Sequence, residues 1–158
     1  MSAIALVTGL TAAIGGLVLL AIWLIEYDPD YQSAAATRLP VPVISAHVLL
    51  AVTGLTIWVI YLVTDSHKLA WATALILTAV VFLGFTMAVR WVGVRRMPLG
   101  VAGGAEAAQP GAGPGISASG VAVPPERHFP LSVVVGHGIF ALTTFVLVVL
   151  TALGVGGS

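Results

Sequence analysis

The chain has 158 residues, 59% of them hydrophobic and 8% charged, with six basic and six acidic side chains that cancel to a net charge of zero. A water-soluble domain carries about 25% charged residues, so this composition marks an integral membrane protein and gives no electrostatic basis for binding nucleic acid. Cysteine is absent, which excludes disulfides, thiolate nucleophiles and Cys-ligated zinc or iron–sulfur centres.

The first apolar span runs from Ala3 to Ile25, with no charge before Glu26. It lacks the basic start and the small-residue cleavage site of a signal peptide, so it reads as a retained helix. Thr8, Ala12 and Gly16 form a small-residue stripe at i+4 spacing along it, a surface for close helix packing. A polar connection, Glu26 to Pro40, opens with "EYDPDYQ". Its Asp28 and Asp30 lack the glycine and glutamate that a calcium loop requires.

The second span, Val41 to Val63, is entered through "LPVPVISAH". Proline is suited to a helix start, where the first N–H groups have no partner in the helix. "TDSHK", Thr64 to Lys68, reads as a tight turn, with His67 a solvated turn residue. The second and third spans then form an antiparallel hairpin. The third span, Leu69 to Val92, carries Arg90 near its end, where the long side chain can snorkel to the headgroups.

Residues 97–129 contain "GVAGGAEAAQPGAGPGISASGVAVPP", which reads as a flexible loop with no core of its own. No Gly-Lys-Ser/Thr accompanies its glycines, so it is not a phosphate-binding loop. The fourth span is Leu131 to Leu153. Each span has about 23 residues, enough to cross a hydrocarbon core of about 30 Å as a helix. The expected fold is an all-α integral membrane four-helix bundle, antiparallel, with both termini on one side and residues 1–158 forming a single membrane domain.

Arg38, Arg90, Arg95, Arg96 and Arg127 fall on one side of this topology, and Lys68 alone on the other. The positive-inside rule places the arginines in the cytoplasm and both termini outside. Five arginines to one lysine, with abundant Ala, Val and Gly, fit a GC-rich bacterial genome, hence a bacterial cytoplasmic (inner) membrane. Trp23, Trp91, Tyr27 and Tyr31 are expected in the aromatic belt on the arginine side, and Tyr61 and Trp71 in the opposite one.

Spans two and four echo each other. "PVPVISAHVLLAVTG", Pro40 to Gly54, aligns with "PLSVVVGHGIFALTT", Pro130 to Thr144. Each has a proline seven residues before a histidine, His47 or His137. Each has a small residue just before that histidine, Ala46 or Gly136, and an alanine at i+4, Ala51 or Ala141. Arg38 and Arg127 stand just before the two prolines.

The two spans run in the same direction, because one span lies between them. Both histidines therefore sit at one depth, about 9 Å inside the arginine side at 1.5 Å per residue. On facing helices, two imidazoles at one depth can ligate one haem iron from both sides. Ala51 and Ala141 would leave room for a flat macrocycle, and Arg38 and Arg127 could pair with its propionates. The competing reading is structural: a neutral histidine near a helix end can bond a backbone carbonyl, a nearby serine such as Ser45 or Ser132, or interfacial water.

This arrangement is similar to that of the four-helix membrane b-type cytochromes, and in particular to the quinol-oxidising cytochrome b family. In that family, helices two and four each carry two axial histidines and hold two stacked haems. The resemblance implies one b-type haem, with His47 and His137 as its axial ligands. The second histidine pair has no counterpart in spans two and four, so the resemblance does not extend to electron transfer across the membrane through two haems.

No catalytic constellation is visible. There is no positioned Ser–His–Asp nucleophile, and no Asp or Glu lies within a span to serve a proton channel. Two function classes follow. One is a small membrane subunit that holds one haem b and exchanges electrons with quinone or a soluble partner. The other is a cofactor-free subunit that anchors or stabilises a larger membrane complex, such as a respiratory one. Both imply the lipid bilayer and protein partner subunits.

Overall fold

The computed structural model describes residues 1–26, 39–96 and 124–155. Four long helices dominate it: α1 (Ser2–Ile25), α2 (Val41–Thr64), α3 (His67–Arg96) and α4 (Leu131–Ala152). All four are long and apolar enough to cross a membrane. The expected loop over residues 97–129 lies mostly outside the described residues. Its last part is not irregular, because Pro125–His128 forms a short 3-10 helix.

The helix ends follow from local chemistry. Pro40 and Pro130 cap α2 and α4 in extended conformation. The Pro40 carbonyl accepts from the N–H groups of Val43 and Ile44, and the Pro130 carbonyl from those of Val133 and Val134. Proline holds the φ these positions need, and it removes an N–H that would have no acceptor. α2 stops at Asp65, which takes a left-handed conformation (φ 50°), and its N–H closes on the Tyr61 carbonyl. The turn is shorter than the sequence predicts. His67 opens α3 instead of lying in the turn, and its Nε2 accepts from Trp71 Nε1–H at 3.1 Å. α4 ends at Gly154 (φ 76°). There the N–H groups of Gly154 and Val155 bond the carbonyls of Thr151 and Leu150, a Schellman closure that only glycine adopts without strain.

The helices form an antiparallel bundle. α2 packs closely on α3, and α4 on α1; looser contacts close the ring between α3 and α4 and between α1 and α2. That leaves α2 facing α4, and α1 facing α3, across the diagonals.

Two apolar clusters fill the ends of the bundle. At the end nearer the chain termini, Trp58 (1% exposed) stacks on Tyr61 and packs with Ala5, Ala70, Ala74, Val148 and Ala152. At the proline end, Trp23, Leu39, Ile44, Trp91 and Phe129 pack together. Large apolar side chains such as Ile14, Leu17, Leu49, Leu75, Phe82 and Phe85 point outward from all but the short loops. In water such a surface would be strongly unfavourable; against lipid tails it costs nothing.

The aromatic belt needs correcting. Trp23, Trp91 and Tyr61 are buried inside the bundle, not placed among headgroups. Trp71 is exposed as expected; Tyr27 and Tyr31 lie outside the described residues.

Candidate functional site: a histidine pair between diagonal helices

α2 and α4 bring His47 and His137 together. Their ring centroids lie 6.3 Å apart, with an interplanar angle of 63°. Both side chains are half-buried.

Each imidazole is held by the neighbouring helix. His47 Nδ1 lies 3.1 Å from the Val80 carbonyl of α3, and His137 Nδ1 lies 2.8 Å from the Ala12 carbonyl of α1. A carbonyl oxygen only accepts, so Nδ1 carries the proton in both rings. The Nε2 atoms are then left with their lone pairs. Ser45 and Ser132 are exposed and do not serve as the histidines' partners.

Glycine makes these bonds reachable. A Cβ added to Gly16 would come within 3.0 Å of His137 Cε1, and one added to Gly84 within 3.1 Å of His47 Cε1. Gly15 abuts the His137 Cβ in the same way, at 3.3 Å. Each glycine stands one helical turn beyond the carbonyl that the imidazole binds, Ala12 for Gly16 and Val80 for Gly84. With no side chain at that position, the ring lies flat on the backbone and its N–H reaches the oxygen.

The two halves match position by position. Adding 68 to a residue number on α1 gives its counterpart on α3: Ala12 to Val80, Gly16 to Gly84, Trp23 to Trp91. Adding 90 takes α2 to α4: Leu39 to Phe129, His47 to His137, Trp58 to Val148. The contacts obey the same rule. Gly54 packs on Ile76 and Leu77, while its counterpart Thr144 packs on Gly9 and bonds Thr8, their counterparts, through Oγ1 at 2.9 Å. The chain is thus two helical hairpins related by an approximate two-fold axis along the bundle. The histidine pair sits across that axis. The small stripe Thr8, Ala12, Gly16 packs within this chain, against α4.

The remaining residues singled out in the sequence take varied places. Ala51 and Ala141 are half-buried, one turn beyond the histidines. Arg127 lies in the short 3-10 helix that packs on α1 and α3 at the proline end; Arg38 lies outside the described residues. His128 is 48% exposed and lies 3.7 Å from the Glu26 carboxylate. Gly16 and Gly84 were not anticipated as site residues. Their signal is faint but present: each precedes a tryptophan, Trp23 or Trp91, by seven residues.

Two imidazoles this close, each with Nε2 unprotonated, can hold one metal ion between them. Two metal–nitrogen bonds of about 2 Å, plus about 1 Å from each nitrogen to its ring centre, put the centroids about 6 Å apart. The 6.3 Å separation is compatible with that sum. Among the described residues no third His, Cys, Asp or Glu joins the pair.

Fold and outer surface together define a small multi-pass helical membrane protein. Comparison with known proteins finds no matching family model, no matching curated sequence and no matching solved structure.

Proposed function

We propose that this protein is a small membrane electron-transfer subunit of b-type cytochrome character, holding one haem between His47 and His137. The observation that carries this reading is the paired imidazole geometry: a 6.3 Å centroid separation with both Nδ1 atoms donating to helix carbonyls. A hydrogen bond at Nδ1 fixes the ring orientation and presents Nε2, the arrangement that second-shell partners impose on metal-ligating histidines. His47 and His137 would hold such a haem through their ring nitrogens, and the group would supply a one-electron carrier suited to electron transfer. The chain's own residues position the rings and exclude water through the two end clusters. The arginine end, with Arg90, Arg95, Arg96 and Arg127, faces the cytoplasm in this reading. Quinone or a soluble protein, within a respiratory assembly, exchanges the electron.

The test is the visible spectrum of the purified protein from haem-replete cells. A Soret band and reduced α-band of b type, lost in His47→Ala and in His137→Ala, is the expected result. A colourless, folded protein that takes up no added haem would sink the proposal.

A second reading rests on the same two bonds. Each Nδ1–H joins two helices, α2 to α3 and α4 to α1, which suits a cofactor-free subunit supporting a larger complex. That reading predicts stoichiometric partners whose co-purification survives both alanine changes.

A further inference from the structure

One polar group in the proline-end cluster has no acceptor among the described residues. Trp91 is 6% exposed, and its Nε1–H is fully buried with no hydrogen-bond partner among them. An indole N–H is a donor only, and leaving a buried donor unpaired is costly. Such a group in a native core points to an acceptor that the described residues do not supply.

The position of Trp91 indicates which acceptor. It lies seven residues beyond Gly84, the residue against which His47 packs. Seven residues span about 10 Å of helix, with a drift of only about 20° around it. Trp91 thus sits on the same inner face of α3 as the histidine contact, two turns nearer the arginine end. Val48 and Val134, next to or close to the histidines in sequence, pack on the same cluster. The Arg95 guanidinium lies 5.1 Å from the centre of the Trp91 ring. A cation there draws density from the indole and sets a positive field for an anionic acceptor.

We infer that Trp91 Nε1–H donates to a carboxylate of the porphyrin held between His47 and His137, making the proline end a carboxylate-binding subsite. This rests on the haem reading above, because a porphyrin brings its carboxylates on one edge, away from the metal. Charge-assisted hydrogen bonds to carboxylates are among the stronger ones. Trp91 is here a binding residue and not an axial ligand.

The experiment is a cycle that alters both partners. The full-length protein and Trp91→Phe are each loaded with haem or with haem dimethyl ester, whose carboxylates are blocked. Release to an excess of a haem-scavenging apoprotein is then timed. For haem, Trp91→Phe is expected to accelerate release about tenfold or more, the size of one lost hydrogen bond to a charged group. For the ester, the variant and the parent release at the same rate, and the ligand bands are unchanged in all four samples. Equal acceleration with both pigments, or none with haem, overturns the assignment of Trp91 while leaving the haem reading intact. A parent protein that takes up neither pigment overturns both.

A second measurement needs no variant. With ¹⁵N-labelled tryptophan in the reduced parent protein, the Trp91 indole N–H resonance moves downfield with haem relative to the ester. Identical resonances for the two pigments overturn the inference.

Discussion

Imidazole chemistry and the absence of a side chain act together at the residue level. His47 and His137 are each held in one tautomer and one orientation by a single backbone carbonyl. The carbonyls are reachable because Gly16 and Gly84 carry no Cβ. Gly16→Val and Gly84→Val are therefore expected to displace the imidazoles. Under the proposed haem function, occupancy read from the Soret-to-protein absorbance ratio should fall by at least half in each. Gly136→Ala is the control: nothing lies within 4 Å of the added Cβ, and replacing a helical glycine stabilises by about 0.5–1 kcal/mol. Occupancy should hold and the thermal midpoint should rise slightly. If Gly136→Ala empties the site while Gly84→Val does not, the glycine account is wrong.

Elements are held by a few polar contacts within apolar surfaces. Lipid is as apolar as leucine, so burial alone gives helices little reason to associate. α1 and α4 meet through small residues and the Thr144–Thr8 hydroxyl bond, besides the His137 bond to Ala12. Thr144→Val keeps the shape and removes the hydroxyl bond, at an expected cost of about 0.6 kcal/mol. Reversible unfolding in mixed detergent micelles would measure it; a cost above about 2 kcal/mol would mean the hydroxyl does more than join two helices. The Schellman closure at Gly154 is local. Gly154→Ala should cost about 1 kcal/mol by straining a positive φ, seen as faster amide exchange in the last turn of α4 and not at the histidines.

For the whole molecule, the approximate two-fold relation predicts equivalent contacts in the two halves. The chain has no native cysteine, so introduced pairs report cleanly. Gly9→Cys with Thr144→Cys should form a disulfide, since a Cβ at position 9 lies 3.3 Å from Thr144 Cγ2 and disulfides need Cβ atoms about 3.5–4.5 Å apart. The counterpart pair, Gly54→Cys with Leu77→Cys, should close as well. A mobility shift on non-reducing gels reads both; failure of the first pair with success of the second would break the four-helix arrangement back into one hairpin.

Sequence alone determined the membrane class, the number of helices and most of their limits, because about twenty apolar residues with proline at the entry leave a chain in lipid no other choice. It also revealed the echo of His47 in His137, since a repeat can be read wherever side chains themselves recur. The halves' other pairing was hidden. Ala12 answers to Val80, and Thr8 to Ile76, with no likeness between the side chains, because what is preserved is a backbone carbonyl and a gap at the next turn. Backbone groups are the same in every residue, so which carbonyl an imidazole meets is decided only by helix packing. The inward burial of Trp23 and Trp91 was likewise a tertiary outcome. An aromatic ring near a helix end suits a headgroup belt or the bundle interior equally well, and only the packing of the helices decides between them.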